Sequence, residues 1–432
     1  MTNSLTPPGE FILAQLGIDP SNLAVQVPPS KIDDYIAIVN WLKKYKPKPD
    51  ATNLEKVRGY LEAFHHLCEV DDWERASKII ATPVNTPTNE ELHHELNTWG
   101  YYSEQIELYS RLLGKLNLCW DAICFIGLGN AYYSLDNYAR AIEYYQQGLA
   151  IAQEIGNDWA KGIALGGLGI AYQGLGKYHQ AIYYHQKYFV IAQAIGDSKG
   201  EGTALGNLGK NYYFLGDYQQ ALKYHEQRLT LARAIGDLKG EGTSLGNLGS
   251  VYYSLGEYYQ VINCCQQSLK IARAIHNLNG EATALGNLGN SYNVVGEYSQ
   301  AIELHQQCLI LARILNNNKI EATALENLGN AYTNLEDYAM AIDCYHRSLT
   351  LKQQIQDRRG EEQILVYLCR VYCELGDYPK AIAYNQQHLA IVQLKLQQLM
   401  RSYSNRTYAR TAHIVGAIAM RPYTWWFRGK FA

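Results

Sequence analysis

A Leu-Gly dipeptide stands at 128/129, 168/169, 208/209, 248/249, 288/289 and 328/329, with Leu-Cys at 368/369, so from Asp121 onward the chain repeats itself every forty residues. A period of this length marks a solenoid: each repeat is one supersecondary unit, too small to bury its own apolar face and obliged to stack on its neighbours. The 432 residues therefore predict one long array with end pieces rather than two or three globular domains. Function is then to be sought on an extended surface instead of in one deep pocket.

The repeat from Glu201 to Gly240 shows the unit. Leu205, Leu208, Tyr212 and Leu215 recur at three- and four-residue steps, the stripe of a first amphipathic helix. Gly216-Asp217 interrupts it as a turn. A second helix is predicted from about Tyr218 through Ala221, Leu222, Leu229, Leu231 and Ala232 to Ile235, where Gly236 supplies the left-handed residue that commonly closes a helix. Asp237 is read as the start of the loop into the next unit. Small residues, Gly209 and Ala221, stand where the two backbones must approach closely. Tyrosine recurs at fixed registers, such as 132, 172, 212, 252, 292, 332 and 372, or 138, 178, 218, 258, 298, 338 and 378, and is expected there as a packing residue.

Leu-Gly-x-x-Tyr in the first helix, Leu-Gly-Asp-Tyr at the turn and Tyr-x-x-Ala in the second resemble the tetratricopeptide repeat family. The long period resembles the subgroup found in spindle-orientation adaptors, kinesin light chains and multidomain bacterial signalling proteins. The family's common repeat is about 34 residues; six more would lengthen helices and connecting loop, about one and a half turns if all were helical. The resemblance implies an all-α fold, a right-handed superhelical solenoid of helical hairpins, with seven copies over residues 121–398. Residues 51–120 are expected to form divergent hairpins capping the N-terminal end, because Val70-Asp71-Asp72-Trp73 and Trp99-Gly100-Tyr101-Tyr102 align with the turns, the latter followed by an amphipathic Glu104 to Leu116. Residues 1–50 are proline-rich with one predicted helix, Ile32 to Lys44, and form either a docked cap or a mobile arm. Residues 399–432 carry cations and the aromatic run Trp425-Trp426-Phe427 without an acidic residue after Met400. That tail is read as a closing helix over the last repeat, or as a contact for an anionic membrane surface or nucleic acid.

The stripe of the first helix opposite the packing residues, Thr203, Asn207, Lys210 and Phe214, faces elsewhere. In the family this face lines the concave groove. The same register gives Thr243, Asn247, Ser250 and Ser254, then Thr283, Asn287, Asn290 and Val294, then Thr323, Asn327, Asn330 and Asn334. Asparagine thus recurs at 207, 247, 287 and 327, and an amide offers the donors and acceptor that an extended peptide backbone requires. The peptide-binding residues expected are Asn207, Lys210, Asn247, Ser250, Asn287, Asn290, Asn327, Asn330 and Asn334. The alternative is that ancestral repeats keep a polar residue on a solvated face whether or not it is used. Gly127, Gly167 and Tyr367 break the ladder, which points to the four central repeats. A clamp for C-terminal carboxylates is not expected, because the stripe's cations, Lys210 and Arg370, stand far apart with Glu326 and Glu374 beside or between them.

Other constellations are read as structural. His185, His225 and His305 share a register with Tyr145, Cys265, Tyr345 and Asn385, which suits a packing position better than a metal array. His65-His66 with Cys68, and His93-His94, lack a companion cluster at metal spacing. Gly200-x-Gly202-x-x-x-Gly206 has one residue too many for a dinucleotide fingerprint and no strand before it. No metal site, cofactor or catalytic residue is predicted, and the chain is not expected to be an enzyme.

A net charge of −3 gives the body no footprint for nucleic acid. The start MTNSLTPPGEF does not read as a secretory signal. No run reaches the roughly 20 apolar residues of a membrane span, and scattered unpatterned cysteines suit a reducing cytoplasm. The expected function is a scaffold or adaptor binding an extended peptide segment of a partner protein in its groove. The alternatives are a regulatory or sensor module acting with a bacterial signalling NTPase or protease, and a scaffold that self-associates.

Overall fold

A computed structural model describes residues 5–86 and 89–402, with side chains described up to residue 397. Among these residues there are twenty-one α-helices and no β-strand beyond an isolated bridge between Pro83 and Glu91. Within each compact unit of the chain, neighbouring helices pack on one another in chain order, the helical-hairpin solenoid that the register implied. The chain divides into two compact units, Met1–Gly236 and Asp237–Ala432.

In the repeats the period resolves into pairs of helices such as Asp158–Gly174 with Tyr178–Ala194 and Leu278–Val294 with Tyr298–Ile314, most of them 17 residues long. Links of two or three residues join the helices, so the residues beyond the family's usual length lie in the helices and not in the connecting loop. The reason is capping. Asp197 and Asp237 are the N-caps of the helices that follow, each carboxylate accepting the backbone N–H of the glycine three residues on at 2.9 Å. The first helix therefore begins at Ser198, ahead of the unit drawn from Glu201, and Asp237 starts a helix, not a loop.

Every twentieth residue from Asp136 to Gly376 has a left-handed backbone. Glycine fills eight of these thirteen positions, but Asp136, His276, Asn316, Glu336 and Gln356 take the same conformation. There the residue that ends each helix is imposed by the close link to the next.

Glycine within the first helices has a different cause. A Cβ on Gly129, Gly169 or Gly209 would come within 2.6, 2.4 or 2.5 Å of Tyr145, His185 or His225, rings presented by the second helix of the same hairpin. In the second unit Gly289 and Gly329 meet His305 and Tyr345 in the same way, at 2.6 and 2.5 Å. Ala221, Ala301 and Ala341 are fully buried on the facing helices. Tyrosines tie the two helices further along: Tyr172 stacks on Tyr184 at 5.3 Å and Tyr372 on Tyr384 at 5.5 Å.

Upstream, Asn53–Glu69 opens on a capping box between Thr52 and Glu55 and turns at Asp71 into Trp73–Ile80. Leu92–Thr98 turns at Gly100 into Tyr102–Leu112, which stops short of Leu116 because Gly114 is left-handed. Ile32–Lys44 is helical as expected, and Gly9–Gln15 and Leu23–Gln26 are two helices the prolines concealed. Ile12, Leu13 and Ile38 join the core of Phe64, Leu67 and Ile79. Arg75 Nε donates to the Leu16 carbonyl at 2.6 Å, and the Tyr60 hydroxyl to that of Pro7 at 2.9 Å. Tyr378–Ser402 is the last helix among the described residues; the closing-helix and surface-binding readings of the tail lie outside them.

Candidate functional site

In the first unit the expected stripe lies on Ser198–Phe214 with Thr203 and Lys210 exposed and Asn207 half-buried. The Asn207 carbonyl accepts from the Asn211 amide at 2.7 Å. Phe214 is stacked on Tyr178 at 5.3 Å.

In the second unit the stripe runs along Leu238–Leu255, Leu278–Val294 and Asn318–Asn334. The threonines spend their protons locally: Thr243, Thr283 and Thr323 donate to the carbonyls of Lys239, Asn279 and Lys319, four residues back, at 2.8, 2.9 and 3.0 Å. Ser250 does the same to Gly246 at 3.1 Å. Asn330 is engaged, its Oδ1 accepting the Tyr345 hydroxyl at 2.8 Å, a lock repeated in the first unit between Asn130 and Tyr145 at 2.7 Å. Asn334 donates to Asn293 across two hairpins at 3.1 Å. Asn287 is exposed, while Asn247, Asn290 and Asn327 are half-buried. The Nδ2 of Asn247 is shielded from solvent and has no hydrogen-bond partner.

That amide lines a cavity of about 350 Å³ together with Thr243, Gly246, Cys265, Ser268, Ile271 and, from the next hairpin, Thr283 and Asn287. Its origin is a local departure from the repeat. At the register of Gly246, Gly166 is covered by the Tyr188 ring at 3.1 Å and Gly206 by Arg228 at 2.6 Å, whereas a Cβ on Gly246 would meet nothing within 4 Å. The residue that would cover it is Ser268. At the register of the buried rings stands Cys265, leaving Gly249 with no atom nearer than 3.7 Å. Burial pushes the Cys265 thiol up to about 12, so it stands in the wall uncharged. The stripe was drawn from first helices alone and could not include Cys265, Ser268 or Ile271.

The breaks in the ladder also have a packing cause. A Cβ on Gly127 would fall 2.2 Å from Tyr109, and one on Gly167 2.4 Å from Tyr145; Tyr367 instead stacks on Tyr345 at 5.4 Å. Asn207, Asn287 and Asn327 follow hairpins that present His185, Cys265 and His305 at this register. A tyrosine in the ring register thus leaves room only for glycine at 127 and 167, whereas Tyr367 lies flat against its ring instead.

The three repeat histidines, His185, His225 and His305, are almost wholly buried. Neither ring nitrogen of His185 or His305 has a hydrogen-bond partner. Burial holds each imidazole down to about 4, neutral at ordinary pH. A second feature was hidden in the sequence: Lys352, nearly buried, lies 2.6 Å from Glu326. Glu326, counted as an anion of the stripe, is thus paired from a second helix.

His93-His94 does gain a companion, contrary to the expectation. Glu91 Oε2 lies 2.6 Å from His93 Nε2, and the two imidazole centroids are 4.1 Å apart. Buried His93 is held on its other side by the Tyr109 hydroxyl, 2.7 Å from Nδ1. The signal, a glutamate two residues before a histidine pair, is too short to stand out from a sequence.

Two models described as tetratricopeptide repeat match the sequence, one over residues 160–234, 241–314 and 320–393 and one over residues 122–155. No curated protein matches it. Among solved structures, a signal transduction ATPase with numerous domains and a tetratricopeptide repeat sensor from Pyrococcus horikoshii is similar at 17% identity. That match covers 93% of this chain and 65% of the other, with a TM-score of 0.60. Aspartyl phosphate phosphatase F from Bacillus subtilis is similar at 13% identity over 81% of this chain and 97% of its own, TM-score 0.56. The apo quorum sensor NprR from B. thuringiensis is similar at 15% identity over 79% and 100%, TM-score 0.54. At these identities the likeness is one of fold.

Proposed function

Because this chain belongs to the tetratricopeptide repeat family, we propose that it is a non-catalytic interaction module whose second unit binds an extended segment of a partner protein. The observation that carries this reading is the cavity beside Asn247, with its shielded, unpartnered amide. A buried donor without an acceptor costs roughly 1–3 kcal/mol, which a peptide carbonyl entering the cavity recovers. Ile271 and Ala272 on the wall suit one apolar side chain of that segment, and exposed Asn287 extends the polar contact to the next hairpin. Asn290, Asn327 and Asn334 continue that contact. In the first unit Asn207 and Lys210 are separate candidates, while Ser250 and Asn330 serve the solenoid more than a ligand.

Ser268→Tyr tests the reading, since tyrosine is what stands at this register at Tyr188. The variant fills the cavity and leaves Asn247 itself in place. Capture of a protein partner lost in both Ser268→Tyr and Asn247→Ala, with helical content unchanged, supports the assignment; capture equal to wild type in both removes it.

A second reading, a sensor module acting with a signalling NTPase or protease, draws on the likeness to the tetratricopeptide sensor of the Pyrococcus horikoshii ATPase. Co-purification with an NTPase or a protease would favour it. A reducing compartment is proposed from the nine cysteines, none of them in a disulfide and most of them buried. No helix of the described residues is long and apolar enough to cross a membrane.

A further inference from the structure

We propose that Glu91, His93 and His94, at the start of the helix Leu92–Thr98, bind a divalent transition cation of the zinc class. One ligand atom from each side chain lies within 4.8 Å of the other two. Tetrahedral coordination at about 2.0–2.2 Å sets donors roughly 3.3–3.6 Å apart. The imidazole–carboxylate contact, now 2.6 Å, has to open and the wider one close, both within the reach of ordinary side-chain rotation.

The central ligand is already oriented. His93 is 2% exposed and its Nε2 faces Glu91 at 2.6 Å; when an ion displaces the proton between them, the Tyr109 hydroxyl, 2.7 Å from Nδ1, accepts Nδ1–H and leaves the Nε2 lone pair to the ion. Tyr109 is fixed in turn, 1% exposed, with its ring so close to Gly127 that no Cβ fits there. The backbone is held as well: Gln105 Nε2 donates to the His93 carbonyl at 2.7 Å, Leu92 N to Thr82 O at 2.9 Å and Val84 N to Glu90 O at 3.0 Å. An imidazole whose far nitrogen is held by a buried hydroxyl on a pinned backbone is the supporting shell a metal ligand requires.

The other two ligands are open to solvent. The side chains of Glu91 and His94 are 44% and 48% exposed, which gives an ion a way in and leaves positions for water. His94 keeps its ring against His93 rather than extending into water, and Glu90 Oε2 stands 3.5 Å from its Nδ1, ready to orient it or to supply a fourth oxygen. Two imidazoles with a carboxylate suit Zn²⁺, Co²⁺ or Ni²⁺ and disfavour Mg²⁺ and Ca²⁺, which require oxygen donors.

The test is calorimetric titration of the intact protein with Zn²⁺, paired with the visible spectrum of the Co²⁺ form. The expected result is one equivalent bound at micromolar affinity, with an absorption band of low-coordinate Co²⁺. His94→Ala, at a half-exposed position, should fold normally and weaken binding at least tenfold. Tyr109→Phe, which keeps the ring and removes the hydroxyl, should weaken it about tenfold, while His66→Ala leaves it unchanged. Absence of stoichiometric Zn²⁺ binding overturns the proposal. So does binding that survives His94→Ala or is lost in His66→Ala, which would place the ion elsewhere.

Discussion

The Lys352 ammonium lies 2.6 Å from the Glu326 carboxylate, and this pair occupies registers that hold Ala312 and Gly286 one repeat earlier. Two charges have replaced two small residues together, one on each helix. Removing one partner of a buried pair strands the other, at a cost of about 3–5 kcal/mol. Lys352→Ala should therefore lower the urea midpoint strongly, while Lys352→Ala/Glu326→Gly, which restores the repeat's own residues, should recover most of the loss. Equal loss in both variants would mean that the pair does not act as a unit.

Two glycines at one register should respond oppositely to the same change. A Cβ on Gly169 meets His185 at 2.4 Å, whereas one on Gly249 finds its nearest neighbour at 3.7 Å. Gly169→Ala should destabilise by roughly 1–3 kcal/mol through overpacking. Gly249→Ala should stabilise by about 0.5–1 kcal/mol, because helical glycine loses more conformational freedom on folding. Thermal melts of the two variants, side by side, check the pair.

Left-handed positions give a stabilising route. Glu336 has a φ of +64° and Gln356 of +57°, where glycine stands in most hairpins. Glu336→Gly and Gln356→Gly should each gain up to about 1 kcal/mol, and Gly216→Ala should lose a similar amount. A fall in melting temperature for the two glycine variants would show that side-chain contacts at these corners outweigh the backbone cost.

Acid should weaken the solenoid through its buried histidines. In the unfolded chain a histidine titrates near 6.5, whereas His185 and His305 are held to about 4 in the fold. Above pH 6.5 both states are neutral and the stability is complete. As pH falls toward 4 only the unfolded state takes the proton, so stability declines, by up to about 3 kcal/mol per histidine, and levels off below 4. His185→Cys/His305→Cys, using the residue found at Cys265, should flatten the urea midpoint between pH 6.5 and 4. An unchanged slope would assign the acid sensitivity to other groups.

The hairpin and its stacking were legible because Leu208, Gly209 and Tyr212 recur in phase with a helix, and in-phase recurrence is what a sequence displays. The cavity was not legible, because it is made by what Ser268 and Cys265 lack relative to Tyr188 and His185, on a helix some twenty residues from the asparagine it exposes. The partner of Glu326 was hidden by the same distance. Asp237 was misread as a loop residue because an N-cap and a turn prefer the same side chains. Asn330 looked like a groove residue from the first helix of its hairpin alone; the Tyr345 hydroxyl that engages it comes from the second.

The most direct test of groove binding is photo-crosslinking from two single positions, with the adducts sequenced by mass spectrometry. Thr283 lines the cavity; Tyr259, 80% exposed, does not. A photoreactive residue at Thr283 should label one extended segment of a partner, and the labelling should vanish when Asn247→Ala/Asn287→Ala/Asn327→Ala is combined with it. Labelling from Tyr259 with none from Thr283, or labelling from Thr283 that the triple substitution leaves intact, would contradict the account.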